Sequence, residues 1–216
     1  MQAVTVALAE DDHLFRELLS FHVRSQANLE LIGIATNGQE AINLAESLRP
    51  DIFLMDLHMP VMDGIEATQK ILASYPATKI IAITTFDSYD YVSKALAAGV
   101  HGYLMKNSRP TEVKQAIEAA VEGRAIIDSR ALASLVISMN LSHPPQGNPW
   151  GTLTATEQNI VKSVCLGKTN QEIASELHYS LSTVKNTLSR VYAKLDIKTR
   201  TQLLVMAGHH NFPVLD

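Results

Sequence analysis

Short apolar runs alternate with segments of helical periodicity from residue 4 to residue 122, and this alternation constrains the fold more than any other feature. Each run is too short for a helix and is rich in bulky apolar residues, which is typical of a buried strand. Alternating strands and helices favour a parallel sheet covered on both faces. The predicted strands are Val4–Ala9, Leu31–Ala35, Ile52–Met55, Lys79–Thr84 and Gly102–Met105, and the predicted helices begin near His13, Gln39, Gly64, Tyr89 and Thr111.

A Pro- and Gly-rich stretch, HPPQGNPWG, occupies residues 143–151 and predicts a linker. Every pattern beyond it is helical, over 154–166, 170–177, 182–195 and 201–209. We therefore predict an α/β domain at residues 1–123, a linker at 124–149 with a short helix at 129–139, and an all-α domain at 150–216.

Composition excludes several classes of protein. The apolar fraction of 46% and the charged fraction of 19% are ordinary for a soluble protein. No apolar run is long enough to span a membrane and no secretory signal is visible, so we expect a cytoplasmic protein without a membrane partner. Cys165 is the only cysteine, which excludes an intramolecular disulfide and agrees with a reducing compartment.

Charge is distributed unevenly along the chain. Residues 1–149 carry 11 basic and 17 acidic side chains, whereas residues 150–216 carry 7 and 5. The basic excess is concentrated between Leu181 and Arg200. This pattern is compatible with a polyanionic partner and also with an ordinary solvated helix face.

Polar side chains stand where the predicted strands end. Asp11 and Asp12 follow the first strand, Asp56 follows the third, and Thr84 and Lys106 mark the ends of the fourth and fifth. Because parallel strands end at one edge of a sheet, these residues are expected to meet. Taken singly, each has an ordinary role as a helix cap, a strand residue or a surface lysine.

The predicted group at this edge has a definite chemistry. Two carboxylates about 4 Å apart repel by roughly 4 kcal/mol at an effective dielectric constant near 20, so they need a cation. Mg²⁺ suits a site made of carboxylates, water and a phosphate. Lys106 and Thr84 supply a positive charge and a hydroxyl for phosphoryl oxygens. Asp56 is then the predicted nucleophile, which becomes an aspartyl phosphate.

Residues 1 to about 123 resemble a response-regulator receiver domain. The resemblance rests on the Asp11–Asp12 pair, Asp56, the MPVMDG turn at residues 59–64, Thr84, Tyr103 and Lys106. It implies a flavodoxin-like strand order 2-1-3-4-5 and phosphorylation of Asp56 by a sensor histidine kinase. It also implies Tyr103 as an aromatic switch and Mg²⁺ held by Asp11, Asp12, Asp56 and the backbone carbonyl of His58.

Two amphipathic segments near the C-terminus are joined by the short turn 178–181, as in a helix-turn-helix. In the second of them Val184, Leu188, Val191 and Leu195 form an inner stripe. Cations on the outer face can reach phosphates and polar side chains can reach base edges, although such a bundle also suits protein docking. The outer face carries Lys185, Asn186, Ser189 and Arg190.

This region is similar to the LuxR-type DNA-binding domain in the segments LTATE at 153–157, GKTNQEIA at 167–174, STVKN at 182–186 and KL at 194–195. With the receiver, it makes the chain similar to a NarL/FixJ-type response regulator. The resemblance implies double-stranded promoter DNA, a homodimer formed on phosphorylation or DNA binding, and leaves open a contact with RNA polymerase. It places Lys185, Asn186 and Ser189 at the bases, Thr183, Lys194 and Arg200 at phosphates, and Leu204 and Val205 in a dimer contact.

Two other functions are compatible with parts of the sequence. A phosphatase-like enzyme would use Asp56 as a transient nucleophile, but His58 stands where such enzymes need a second acid, and the basic helices would have no role. A phosphorylation-independent regulator would use the first domain only as a dimerisation platform. The acidic set argues against that platform, and we predict a regulator, not an enzyme.

Overall fold

A parallel sheet of six strands forms the first part of the chain in the computed structural model, which describes residues 3–86, 88–129, 131, 149–210 and 212. Its order is β2-β1-β3-β4-β5-β6, which confirms the predicted flavodoxin-like order and the α/β class. The strands are β1 (Val4–Ala9), β2 (Leu29–Ala35), β3 (Ile52–Met55), β4 (Lys79–Thr84), β5 (Gly102–Met105) and β6 (Ile126–Ile127).

The sixth strand, β6, was not predicted. It pairs with β5 through Ile126 opposite Gly102 and Ile127 opposite Tyr103. A run of two apolar residues carries no periodicity, so the pairing becomes visible only in three dimensions. The short helix predicted at 129–139 and most of the predicted linker lie outside the described residues.

Helices cover both faces of the sheet. Along β1, Ala7 points into one apolar cluster and Val6 into the other, as successive strand residues must. Side chains of α2, α3 and α4 complete the first cluster, and those of α1 and α5 complete the second. The helices are α1 (His13–Arg24), α2 (Gly38–Leu48), α3 (Gly64–Ser74), α4 (Tyr89–Ala98) and α5 (Pro110–Val121).

The turn between β3 and α3 brings the start of a helix against the end of a strand. The side chain of Asp63 begins α3 by accepting the N–H of Glu66 at 2.8 Å. A Cβ atom on Gly64 would lie 1.9 Å from the backbone oxygen of Asp56. Only glycine allows this approach, which explains why the turn needs its final Asp-Gly pair.

The second part of the chain contains helices joined by turns, and no strand among its described residues, as predicted. It contains a 3₁₀ turn at Pro149–Thr152 and the helices α6 (Ala155–Cys165), α7 (Asn170–Glu176), α8 (Leu181–Lys194) and α9 (Arg200–His209). These helices share a core separate from that of the sheet. No helix in the described part of the chain has the length and apolar character needed to cross a membrane.

The two parts touch through α9 and α4. The Gln202 side-chain amide donates to the backbone oxygen of Ala97 at 2.9 Å, and the Thr201 hydroxyl donates to the backbone oxygen of His101 at 3.1 Å. Val205 packs against the apolar cluster shared by α2, α3 and α4. Since His101 immediately precedes β5, the contact lies where the strands begin, whereas Asp56 and Lys106 lie where they end.

Candidate functional site

A lysine ammonium group bridges two buried carboxylates at the C-terminal edge of the sheet. Nζ of Lys106 lies 2.8 Å from Oδ2 of Asp56 and 2.7 Å from Oε1 of Glu10. Asp56, which is 4% exposed, follows β3 and donates its backbone N–H to Ala9 at 2.8 Å. The carboxylate is therefore held in place by the sheet and neutralised by one cation.

Three carboxylates form the candidate metal centre. One carboxylate oxygen from each of Glu10, Asp11 and Asp56 lies within 4.8 Å of the other two. Glu10 is 1% exposed and its Oε2 atom has no hydrogen-bond partner among the described residues. Burial raises the pKa of Glu10, and the charge of Asp56 raises it further against the opposing effect of Lys106. An orphaned buried oxygen beside two other carboxylates fits a hard divalent cation such as Mg²⁺.

Asp12 has a different position from the one expected of a metal ligand. Its Oδ1 atom accepts the backbone N–H of Phe15 at 2.7 Å and so caps α1. The geometry therefore favours Glu10 over Asp12 as the third carboxylate. The role of Asp12 as a metal ligand stays a prediction, because the start of the helix already uses one of its carboxylate oxygens.

An aromatic group lies beside the acidic cluster. Thr84 is fully buried, and its hydroxyl oxygen accepts the N–H of Phe86 at 3.3 Å. The ring of Tyr103 is buried and its hydroxyl donates to the backbone oxygen of Phe86 at 2.6 Å. Phe86 in turn stacks on Tyr91 of α4, with ring centroids 4.4 Å apart. Tyr103 is thus already turned inward, toward the loop after Thr84.

His58 lies in the loop directly after Asp56. Its backbone N–H donates to Oδ1 of Asp56 at 3.1 Å, and its exposed imidazole meets the ring of Phe86 edge-on at 5.7 Å. The expected role of its backbone carbonyl as a metal ligand stays a prediction.

The outer face of α8 is polar and exposed. Val184, Leu188 and Val191 are buried in the helical core, so the predicted inner stripe packs as expected. Arg190 donates to the hydroxyl of buried Thr187 at 3.1 Å, which holds the guanidinium at the helix surface. The exposed residues on this helix include Thr183, Lys185, Asn186, Ser189 and Arg190.

Two predicted phosphate contacts have partners inside the protein. Nζ of Lys194 lies 2.7 Å from Glu157, and this hydrogen bond lowers the pKa of Glu157. Arg200 is only 7% exposed and donates through Nη2 to the backbone oxygens of Val164 at 3.2 Å and Lys168 at 2.5 Å. In this arrangement Arg200 connects helices, and its assignment as a phosphate contact stays a prediction.

The two predicted dimer residues also face inward. Leu204 packs against the helical core, and Val205 packs against the cluster of the α/β domain. The dimer role of these residues stays a prediction, and Val205 is covered by the α/β domain in this structure.

Comparison with protein families agrees with both halves of this geometry. The family of response regulator receiver domains matches residues 6–118, and the luxR family of bacterial regulatory proteins matches residues 151–207. The chain is a response regulator of the LuxR family. It combines a receiver domain with a LuxR-type DNA-binding domain and belongs to the two-component regulators of transcription.

Relatives resemble this LuxR-family regulator over nearly its whole length. The transcriptional regulatory protein LiaR of Bacillus subtilis is 38% identical over 208 residues, 96% of this chain and 98% of LiaR. The response regulator protein VraR of Staphylococcus aureus is 32% identical over 208 residues, 96% of this chain and 98% of VraR. The crystal structure of a LuxR-family two-component response regulator from Aurantimonas is 29% identical with a TM-score of 0.61, covering 65% of this chain and all of that one.

Glu10 and Phe86 contribute to the regulator's acidic site and were not singled out from the sequence. Glu10 stands in an acidic triplet, and only the structure shows that its carboxylate turns inward while that of Asp12 caps a helix. Phe86 lies two residues beyond Thr84, in a loop without periodicity, where the sequence offers no signal for the hydrogen bond from Tyr103.

Proposed function

We propose that Asp56 accepts a phosphoryl group from a sensor histidine kinase in a Mg²⁺-dependent step, and that the aspartyl phosphate controls binding of the LuxR-type domain to double-stranded promoter DNA. The observation that carries this proposal is the buried Asp56 carboxylate, held 2.8 Å from Lys106 beside two further carboxylates. Such a group can take up a phosphoryl group because the surrounding charges are already arranged for it.

The chemistry at Asp56 is a substitution at phosphorus. A carboxylate oxygen of Asp56 attacks the phosphorus, the bond to the leaving group breaks, and the leaving group keeps the electron pair. Lys106 offers charge-assisted hydrogen bonds to the phosphoryl oxygens, and the hydroxyl of Thr84 offers another. A Mg²⁺ ion held by Glu10, Asp11 and Asp56 would supply further positive charge against the incoming phosphate.

The output step follows from the contact between α9 and α4. Lys185 and Ser189 of α8 line a cavity whose opposite wall belongs to the receiver domain, so DNA competes with the receiver for this face. Phosphorylation adds about −1.5 to −2 charges at Asp56. We expect this charge to draw in Thr84, shift α4 and release α9, after which Val205 is free for a dimer contact on DNA.

The test is intact mass spectrometry after incubation with acetyl phosphate and Mg²⁺. The native chain should gain a single phosphoryl adduct, Asp56→Asn should gain none, and Asp90→Asn, which alters an exposed carboxylate on α4, should react like the native chain. Sizing and promoter-DNA titration of the same samples then measure dimerisation and affinity.

Each other outcome points to a competing function. DNA binding by a chain that takes up no phosphoryl group would favour the platform alternative, in which the receiver only dimerises. Continuous turnover of small phosphate esters without a stable adduct would favour a phosphatase-like enzyme.

A further inference from the structure

A cavity of about 990 Å³ lies between the receiver and the DNA-binding domain. It is at the end of the sheet where the strands begin, away from Asp56. Receiver residues from the start of β4, the start of β5 and the end of α5 form one wall. The other wall comes from α7, α8 and the start of α9. Its volume is at the upper end of the range typical of small-molecule sites.

Three lysines line this cavity: Lys198 lies just before α9, and the other two come from different domains and have no acidic partners in the described part of the chain. These two are Lys79 at the start of β4 and Lys185 on α8. Burial lowers the pKa of Lys79, and the charge of Lys185 lowers it further, so the two ammonium groups repel across the cavity. The contact between the domains therefore brings like charges together.

The acidic residues around the cavity are already engaged. Glu122 pairs with Arg124, and Glu172 accepts the backbone N–H of Thr169 at 2.6 Å. Both acids are exposed, in contrast to the half-buried Lys79. Within the described part of the chain neither acid forms an ion pair with Lys79 or Lys185, so the cavity keeps an excess of positive charge.

A buried guanidinium group at the cavity wall adds to the positive charge there. Arg200 lines the cavity and is 7% exposed, and its Nη1 atom has no hydrogen-bond acceptor among the described residues. Buried guanidinium groups are normally fully hydrogen-bonded because an unpaired one is costly. Ser189, Thr199 and Thr201 also line the cavity, and their hydroxyl groups are already hydrogen-bonded within the protein.

We propose that this cavity binds a small anion with several phosphate groups, held between Lys79 and Lys185 and so connecting the two domains. Such a ligand replaces the repulsion between the lysines by two favourable ion pairs and stabilises the contact between α9 and α4. A phosphate chain provides the several oxygens that cations on two walls require. The site needs neither phosphorylation of Asp56 nor DNA, and thus goes beyond the proposed function.

Titration calorimetry on the full unphosphorylated chain tests the site, with inorganic triphosphate, ATP and AMP as probes at constant ionic strength. EDTA is included so that metal at the acidic cluster makes no contribution. Triphosphate or ATP should bind with one-to-one stoichiometry, and AMP should bind more weakly. Equal binding of triphosphate and ATP would indicate that the phosphate chain alone is recognised, and preference for ATP would show that the nucleoside adds contacts.

Matched variants decide whether the lysines carry the binding. Lys79→Met and Lys185→Met lie in different domains, and each should weaken binding about tenfold or more, since a hydrogen bond to a charged group is lost. Lys114→Met, on the exposed surface of α5, removes the same charge and should bind like the native chain. The proposal is overturned if all three variants bind alike, if only one of the two cavity lysines matters, or if no probe saturates.

Discussion

The hydrogen bond from Gln202 to Ala97 allows a direct test of the contact between the domains. Ala97 lies in the last turn of α4, where backbone oxygens have no partner within the helix, and the side-chain amide of Gln202 satisfies this one at 2.9 Å. The other end of the Gln202 amide, Oε1, accepts the N–H of Lys198 at 2.6 Å and helps to cap α9.

Gln202→Glu separates these two roles. One oxygen of the new carboxylate can still accept the hydrogen bond that caps α9. The other replaces the N–H group that donates to Ala97, and it places a negative charge at the negative end of the α4 dipole. Losing the hydrogen bond and leaving the carbonyl unsatisfied costs about 1–3 kcal/mol, a factor of about 5–150 in the equilibrium between closed and open forms. If about 1% of unphosphorylated molecules are open, a tenfold shift raises that fraction to about 9%, and the apparent DNA affinity rises in proportion.

DNA titration of the unphosphorylated chain by fluorescence anisotropy measures this change, and small-angle scattering reports the accompanying expansion. Gln171→Glu is the matched control, because it adds the same charge to an exposed position in the first turn of α7. Its affinity gives the effect of one added negative charge on a helix that lines the interdomain cavity but has no hydrogen bond to Ala97. Equal affinities for Gln202→Glu and Gln171→Glu, with phosphorylated native protein binding more tightly than both, would refute the argument that this contact restrains the DNA-binding domain.

Three further predictions concern single residues. Gly64→Ala should lower the free energy of unfolding by about 1–3 kcal/mol and slow phosphorylation, because a Cβ atom there meets the backbone oxygen of Asp56 at 1.9 Å. Urea denaturation measures the first effect, and the rate of adduct formation measures the second. Burial and the charge of Lys79 lower the pKa of His101 to about 3. Below about pH 6.5 only the unfolded chain takes up this proton, so the free energy of unfolding should fall by up to about 1.4 kcal/mol per pH unit. His101→Asn should remove this dependence, as measured by urea titrations at pH 5 and 7. Arg200→Met should destabilise the DNA-binding domain, whereas Arg190→Met should weaken DNA binding and leave the melting temperature within a few degrees. The reverse pattern would favour Arg200 as a phosphate contact.

Most of the fold could be predicted from periodicity because the strands are buried on both faces and the helices are amphipathic. The sequence also indicated Asp56 and Lys106, since residues that follow parallel strands must meet at one edge. What it could not indicate is which of several adjacent side chains turns inward. Glu10 and Asp12 are both acidic and near the same strand end, and their roles differ only because one lies beside Lys106 and the other begins a helix.

The acidic site lies where the strands of the sheet end, and the contact with α9 lies where they begin. Helix α4 runs between the two. In its first turn Tyr91 stacks on Phe86, whose backbone oxygen accepts the hydroxyl of Tyr103 in the loop after Thr84. In its last turn Ala97 accepts the hydrogen bond from Gln202. A helix of ten residues spans about 15 Å and moves as a rigid unit, so a displacement at one end must change the geometry at the other. A hydrogen bond tolerates little displacement, whereas stacked rings can slide, so the contact with α9 is the part of this path expected to break first.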